Sequence, residues 1–167
     1  FHIDNSIRMG QEYMLKFIVD IGDGEPVNYY TRIVQRNGQN LRWYLDYVDA
    51  FYQNCINKNM TDEMLSQMET DSSLTNSSMH TVTLKSDKDQ ITWGHLAPAL
   101  AKKAVPTVLE VNEKTVSIRL DYIITAQDTD NSNEYYTVTE FYRMRKAQEQ
   151  VVLLDFERKT TQFFNGN

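Results

Sequence analysis

Chemistry is suggested most strongly by a carboxylate set among aromatic side chains near the end of the chain. On the alternation of a β-strand, Glu140 shares a face with Tyr136, Val138, Tyr142 and Met144. Burial among apolar groups disfavours the charged form of a carboxylate, and such a group can serve as a general base. Glu140 is therefore the one catalytic candidate. The competing reading makes that face solvent-exposed, with Glu140 paired to a cross-strand cation such as Arg119, and the residues favour it. Asp46 and Asp49 fall on the polar side of a helix and are expected to be solvated.

Other reactive residue types are poorly placed for chemistry. The three histidines, His2, His80 and His95, are separated by long gaps, with no HxxxH pair. Cys55 is the sole cysteine and falls on an apolar helix face, where a small buried hydrophobe is the favoured reading. No metal site and no cofactor are expected. A GxSxG elbow is absent. Gly22-Asp23-Gly24 lacks the third glycine, the lysine and the following helix of a phosphate cradle, and a hairpin turn accounts for it. Contact chemistry is better represented. Trp93 and His95 open an irregular stretch, WGHLAPALAKKAVP over residues 93–106, that could form a contact loop, although Trp93 plugging one end of the core is favoured. Tyr29-Tyr30 and Tyr135-Tyr136 are adjacent pairs on strands. Each pair puts one ring on each sheet face, so two of the four rings are candidates for an exposed protein-contact patch.

These side chains need elements to hold them. At 167 residues, with 41% hydrophobic and 24% charged residues, the chain suits one globular domain with a real core. Ten Tyr and seven Phe fit a strand-rich fold. The net charge of −6 gives no overall attraction for phosphate backbones, so nucleic acid is not an expected partner. No apolar run approaches the roughly 18 residues that span a bilayer. The chain starts at Phe1, and the expectation is a piece of a longer protein with a leader or anchor removed.

The organising element is the stretch over residues 40–60, NLRWYLDYVDAFYQNCINKNM. Leu41, Tyr44, Leu45, Val48, Phe51, Tyr52, Cys55 and Ile56 fall at helical spacing and make one apolar face. Asn40 is the expected N-cap, and Thr61 that of a shorter helix carrying Met64, Leu65 and Met68 to the core. Before the long helix, residues 11–21 and 27–36 read as a hairpin around the Gly-rich turn, with cover on both faces. After it come a polar loop at residues 70–78, a short strand at 79–85, a charged turn at Asp87-Lys88-Asp89, and an irregular segment up to Pro106. A meander follows: residues 107–111 and 115–125, then 135–146, then 150–159. Val116, Ile118, Leu120, Tyr122 and Ile124 alternate with Ser117, Arg119 and Asp121 in its clearest strand. Asn59-Met60-Thr61 and Asn76-Ser77-Ser78 match the glycosylation acceptor pattern, which matters only in a eukaryotic secretory pathway.

The expected fold class is α+β, a curved antiparallel sheet packed on one long helix. The run YLDYVDAFYQNCINKNMTDEML, passing from an amphipathic helix into a capped second helix ahead of the meander, resembles the NTF2-like (cystatin-like) superfamily over residues 40–159. The N-terminal hairpin is an addition to that plan. In outline the chain is also similar to the VirB8-like periplasmic domains of conjugation machinery, with Tyr47, Val48 and Tyr52 on the helix. The expectation is a single domain over residues 1–167, with a hairpin at 1–36 and a helix-plus-sheet body at 40–159. The fold hosts enzymes, carriers and interaction modules alike. The expected function is a non-enzymatic protein-interaction or assembly domain, self-associating or bound to a protein partner, in an extracytoplasmic part of a longer bacterial protein. The acidic charge and the Asn-, Ser- and Thr-rich loops lead to that placement. The alternative is a small-molecule pocket between helix and sheet, catalytic through Glu140.

Overall fold

The computed structural model describes residues 7–22, 24–35, 40–66, 68, 79–127 and 133–163. His2, the Asn37-Gly38 turn, the polar loop over 70–78 with its acceptor pattern at Asn76, and Phe164 lie outside the described residues. The chain divides into two compact units, Phe1–Gln39 and Asn40–Asn167.

In the first unit, β1 (Glu12–Val19) and β2 (Val27–Val34) pair antiparallel in a two-stranded sheet. Their turn is closed by Gly22 donating from its amide to Asp20 Oδ1 at 2.9 Å, with Gly22 at φ 93°, a conformation that favours glycine. Directly paired residues share a face. Tyr13, Leu15, Phe17 and Val19 therefore line one face with Ile33, Thr31, Tyr29 and Val27. The expected cover on both faces is not found among the described residues. Met14 is 76% exposed, Ile18 63% and Tyr29 58%.

The second unit is mixed α+β, with a five-stranded antiparallel sheet in the order β3-β7-β6-β5-β4. Its strands are β3 (Thr81–Thr83), β4 (Ala99–Val111), β5 (Thr115–Gln127), β6 (Asn133–Ala147) and β7 (Gln150–Gln162). The meander lies where the alternation puts it. Val116, Ile118, Leu120, Tyr122 and Ile124 are all buried, while Arg119 is exposed. Helix α1 (Leu41–Ile56) supplies Tyr44, Val48, Phe51, Tyr52 and Cys55 to the same core. The Phe51 ring meets Tyr142 edge-on at 5.7 Å and Phe156 at 5.2 Å, and Tyr52 lies 5.7 Å from Tyr122. The floor of α1 is therefore filled by rings where a ligand pocket would need space.

Several local expectations are corrected. The Asn40 side chain makes no cap hydrogen bond. α1 ends at Ile56, short of residue 60, because Lys58 turns to φ 57° and the amides of Asn57, Lys58 and Asn59 close on Gln53, Cys55 and Asn54. α2 (Asp62–Ser66) does start as expected, with the Met64 amide donating to Thr61 Oγ1 at 3.2 Å. The charged turn is a short helix, α3 (Lys88–Ile91), opened by a reciprocal capping box between Asp87 and Gln90. The irregular segment before Pro106 is mostly strand β4. As an edge strand it tolerates the missing proline donor, and its ladder shifts register three times.

Phe51 touches both sheet aromatics from the helix side, so Phe51→Ala tests this core. Truncation should cost about 3–5 kcal/mol, read as a lowered urea midpoint for the second unit. A change below about 1 kcal/mol would mean that α1 is not seated on the sheet as described.

Candidate functional site

Glu140 lies on the buried, aromatic face that the alternation assigns it, but its cation is not Arg119. Glu140 of β6 stands directly opposite Arg158 of β7, and both side chains are 0% exposed. Arg119 instead reaches Asp121 at 2.8 Å, with both side chains about half exposed. The Glu140–Arg158 pairing depends on a bulge. Near the turn the register runs Ala147↔Gln150, Lys146↔Val151, Arg145↔Val152 and Met144↔Leu153. It then shifts by one residue, so that Arg143 meets Asp155. Without the shift Glu140 would face Glu157. The extra residue in β7 also brings Phe156 and Arg158 to the core face together with Leu153.

The carboxylate is fully engaged. Its Oε1 accepts from Arg158 Nε at 2.7 Å and from the Tyr122 hydroxyl at 2.9 Å, and its Oε2 accepts from the Tyr142 hydroxyl at 2.5 Å. Arg158 also donates from Nη1 to the Ile91 carbonyl at 3.0 Å, tying α3 to the sheet. Its guanidinium lies over the Trp93 ring at 4.2 Å. Burial acts against the Arg158 charge, but Glu140, Tyr122 and Cys55 together hold its pKa above the ordinary value. Burial, reinforced by the Glu140 charge, pushes the Tyr122 and Tyr142 hydroxyls well above theirs. Burial raises the Cys55 thiol to about 12, which makes it inert near neutral pH.

A general base must come within hydrogen-bond reach of a substrate proton. Glu140 has no exposed atom to offer, and both its oxygens are bound. It lines neither of two open depressions on this unit. One, of about 220 Å³, is bordered by Lys102, Asp121 and Thr139. The other, of about 290 Å³, is bordered by Trp43, Tyr47 and Glu149. Among the described residues no group of three or more His, Cys, Asp or Glu could hold a metal ion.

The contact candidates separate. Trp93 is 1% exposed and plugs the core, at φ 69°, a left-handed conformation that is unusual for a bulky side chain. It is therefore not on a contact surface. Its indole Nε1 has no hydrogen-bond partner among the described residues. His95 is exposed. Tyr135 is exposed, and Tyr136 is half-buried with its hydroxyl donating to Glu134. On the hairpin both Tyr29 and Tyr30 are exposed, although they sit on opposite faces. Of the helix residues Tyr47, Val48 and Tyr52, the latter two are core, while Tyr47 is half-buried and stacks on Phe51.

Arg158 is the residue that sequence reasoning missed. Its signal was present, since Phe156 and Arg158 alternate, but its partner follows only from the bulged register.

Two outcomes test this network. Glu140→Gln should cost about 3–5 kcal/mol by leaving the Arg158 charge uncompensated. Glu140→Leu combined with Arg158→Met should cost less than that single change, as read by urea unfolding. If the double variant is the less stable, the ion pair is not the governing term. Second, groups with raised folded pKa values bind protons more tightly folded than unfolded, so they stabilise at low pH and lose that contribution as pH rises. From Cys55, Tyr122 and Tyr142, stability should be level below pH about 9 and fall from there through about 12. Flat unfolding free energy across that window would contradict the buried placement. In comparisons with known proteins, no family model, curated protein or solved structure matches the chain.

Proposed function

We propose that this chain is a non-enzymatic protein-interaction or assembly domain. Its second unit is read as built on the NTF2-like plan, with the outline of VirB8-like domains. The reading places it in an extracytoplasmic part of a longer bacterial protein, on its acidic charge and its Asn-, Ser- and Thr-rich loops. The fully engaged, unexposed Glu140 and the ring-filled contact between α1 and the sheet weigh against a catalytic pocket there.

One observation carries the interaction reading: the hairpin face formed by Val19, Val27 and Tyr29 with their neighbours is apolar and exposed. A lone two-stranded sheet is marginal in water, and such a face is stabilised by burial against something else. The opposite face carries Met14, Ile18 and Tyr30 between Lys16, Asn28 and Arg32, an amphipathic mixture of the kind that rims protein contacts. The hairpin therefore has the chemistry of a contact surface on a folded support.

A photo-reactive amino acid at position 29 tests this in the source cell. The expected result is a discrete cross-linked protein product from position 29 and none from the exposed helix position Asp49. Equal, diffuse labelling from both positions, or none from either, would remove the hairpin as a binding surface.

A further inference from the structure

The depression of about 290 Å³ beside α1 has two walls, and each follows from a local feature of the chain. Trp43, Asp46 and Tyr47 stand three and four positions apart on the helix, so they fall on one side of it. Glu149, Gln150 and Val151 come from the β6–β7 turn and the first residues of β7. Val151 packs against the core and is paired with Lys146, so the two share the core face of the sheet. That register carries the Lys146 ammonium to α1, where it lies 4.3 Å from the centroid of the Trp43 ring.

The lining is acidic and aromatic. Asp46 and Glu149 are its charged members, and none of the bordering residues is cationic. Tyr47 is half-buried against Phe51, and its buried hydroxyl has no hydrogen-bond partner among the described residues. Burial pushes that hydroxyl's pKa upward, so it stays neutral. Trp43 is 37% exposed. The face of an indole attracts a cation, and here it already holds one, the Lys146 ammonium. Lys146 also approaches Glu149 Oε1 at 3.9 Å, and Arg42 donates from Nε to Asp46 Oδ1 at 2.8 Å. All four of these charged side chains are at least 41% exposed. Ion pairs so exposed contribute at most about 1 kcal/mol, and another cation exchanges into them at little cost.

A ligand that fits this lining is a flat cation on an apolar stem. A guanidinium stacks on an indole face, forks two N–H donors onto a carboxylate and is less strongly hydrated than an ammonium. It therefore competes well with Lys146 for Trp43. Its aliphatic stem suits the apolar surface of Val151 and the Tyr47 ring. We infer that the depression binds an arginine side chain of a partner polypeptide, whose guanidinium displaces Lys146 from Trp43 and pairs with Asp46 and Glu149. The site lies wholly within the second unit and does not depend on the hairpin reading above.

NMR of the full chain tests this, with the peptide acetyl-Gly-Arg-Gly-amide as ligand. Its citrulline counterpart, of the same shape without the charge, is the control. The chain has two tryptophans and Trp93 is 1% exposed, so the exposed indole signal is that of Trp43, and Trp43→Phe confirms the assignment. The Trp43 indole and Gln150 side-chain signals should shift saturably with the arginine peptide, at a dissociation constant of about 1 mM. The citrulline peptide should bind at least about tenfold more weakly. Asp46→Asn combined with Glu149→Gln should weaken arginine binding about fivefold or more. Lys146→Met should bind about twofold more tightly, because the competing cation is gone. These three positions are exposed, so the variants keep the fold, and an otherwise unchanged spectrum verifies it. Equal binding of the two peptides overturns the inference. So do shifts that spread over the surface without saturating at Trp43, and wild-type affinity in the Asp46→Asn, Glu149→Gln variant. A Lys146→Met variant that binds no more tightly than wild type overturns it as well, since the guanidinium then does not take the place of Lys146.

Discussion

A buried carboxylate needs a cation opposite it, and in this fold one extra residue in β7 supplies it. The turn between β6 and β7 sets a register that, if continued, would bury Glu140 against Glu157. Two like charges facing each other in a dry core would cost several kcal/mol. The bulge advances β7 by one residue, and Arg158 takes that place. The shift also rotates Phe156 onto the core face, where it meets Phe51 of α1 and Tyr142 of β6. Ion pair, ring packing and strand register are thus one constraint. Arg158 extends it to α3 through the Ile91 carbonyl and to Trp93 by stacking. A slip of one residue would break all of these contacts together, which makes the register well specified.

Such a pair is weak evidence for stability, because desolvation offsets much of the attraction. Its better-attested use is specificity, and the bulged register shows how that works here. Apolar residues on β7 could pack in either register, since Val151, Val152, Leu153 and Leu154 are consecutive. Beyond that run, the charged pair and Phe156 separate the two registers. The tyrosine hydroxyls complete the shell of Glu140 from its own strand and from β5, so they hold the carboxylate in place while β7 alone decides which residue faces it.

The parts of the fold that were legible in the sequence are those set by local period. The core faces of α1 and β5 follow directly from 3.6- and 2-residue spacing. The burial of Glu140 among aromatics follows from the same alternation on β6. Its partner does not, because a bulge is a pairing property of two strands and leaves no periodic trace in either one. β4 was hidden for a different reason. Ala99, Ala101 and Ala104 carry little strand signal, and Pro106 argues against a strand unless the strand is known to be an edge. The α3 cap was readable, since Asp87 stands three residues before Gln90, but four helical residues are too few for a periodic pattern. The burial of Trp93 depends on the Arg158 guanidinium beneath it, a contact across 65 positions of chain that no local rule reaches.

The two units meet different ends of the same physical problem. In the second unit the sheet is broad enough, with α1, to enclose an apolar interior and to compensate a buried charge. In the first, the described residues form two paired strands of eight residues, with Val19, Val27 and Tyr29 exposed on one face and Met14, Ile18 and Tyr30 on the other. A polar residue at position 19, 27 or 29 would make the hairpin face more soluble at little cost to the β1–β2 ladder, because the ladder is held by backbone bonds. Exposed Val19, Val27 and Tyr29 on one face fit the reading of a hairpin that is completed by contact. β4 is a second case: an edge strand paired to β5 in a ladder with three register shifts, whose core-face Leu100 and Val108 stay exposed. Each surface exposes apolar strand side chains, and packing against a further layer is the general route by which such faces become stable.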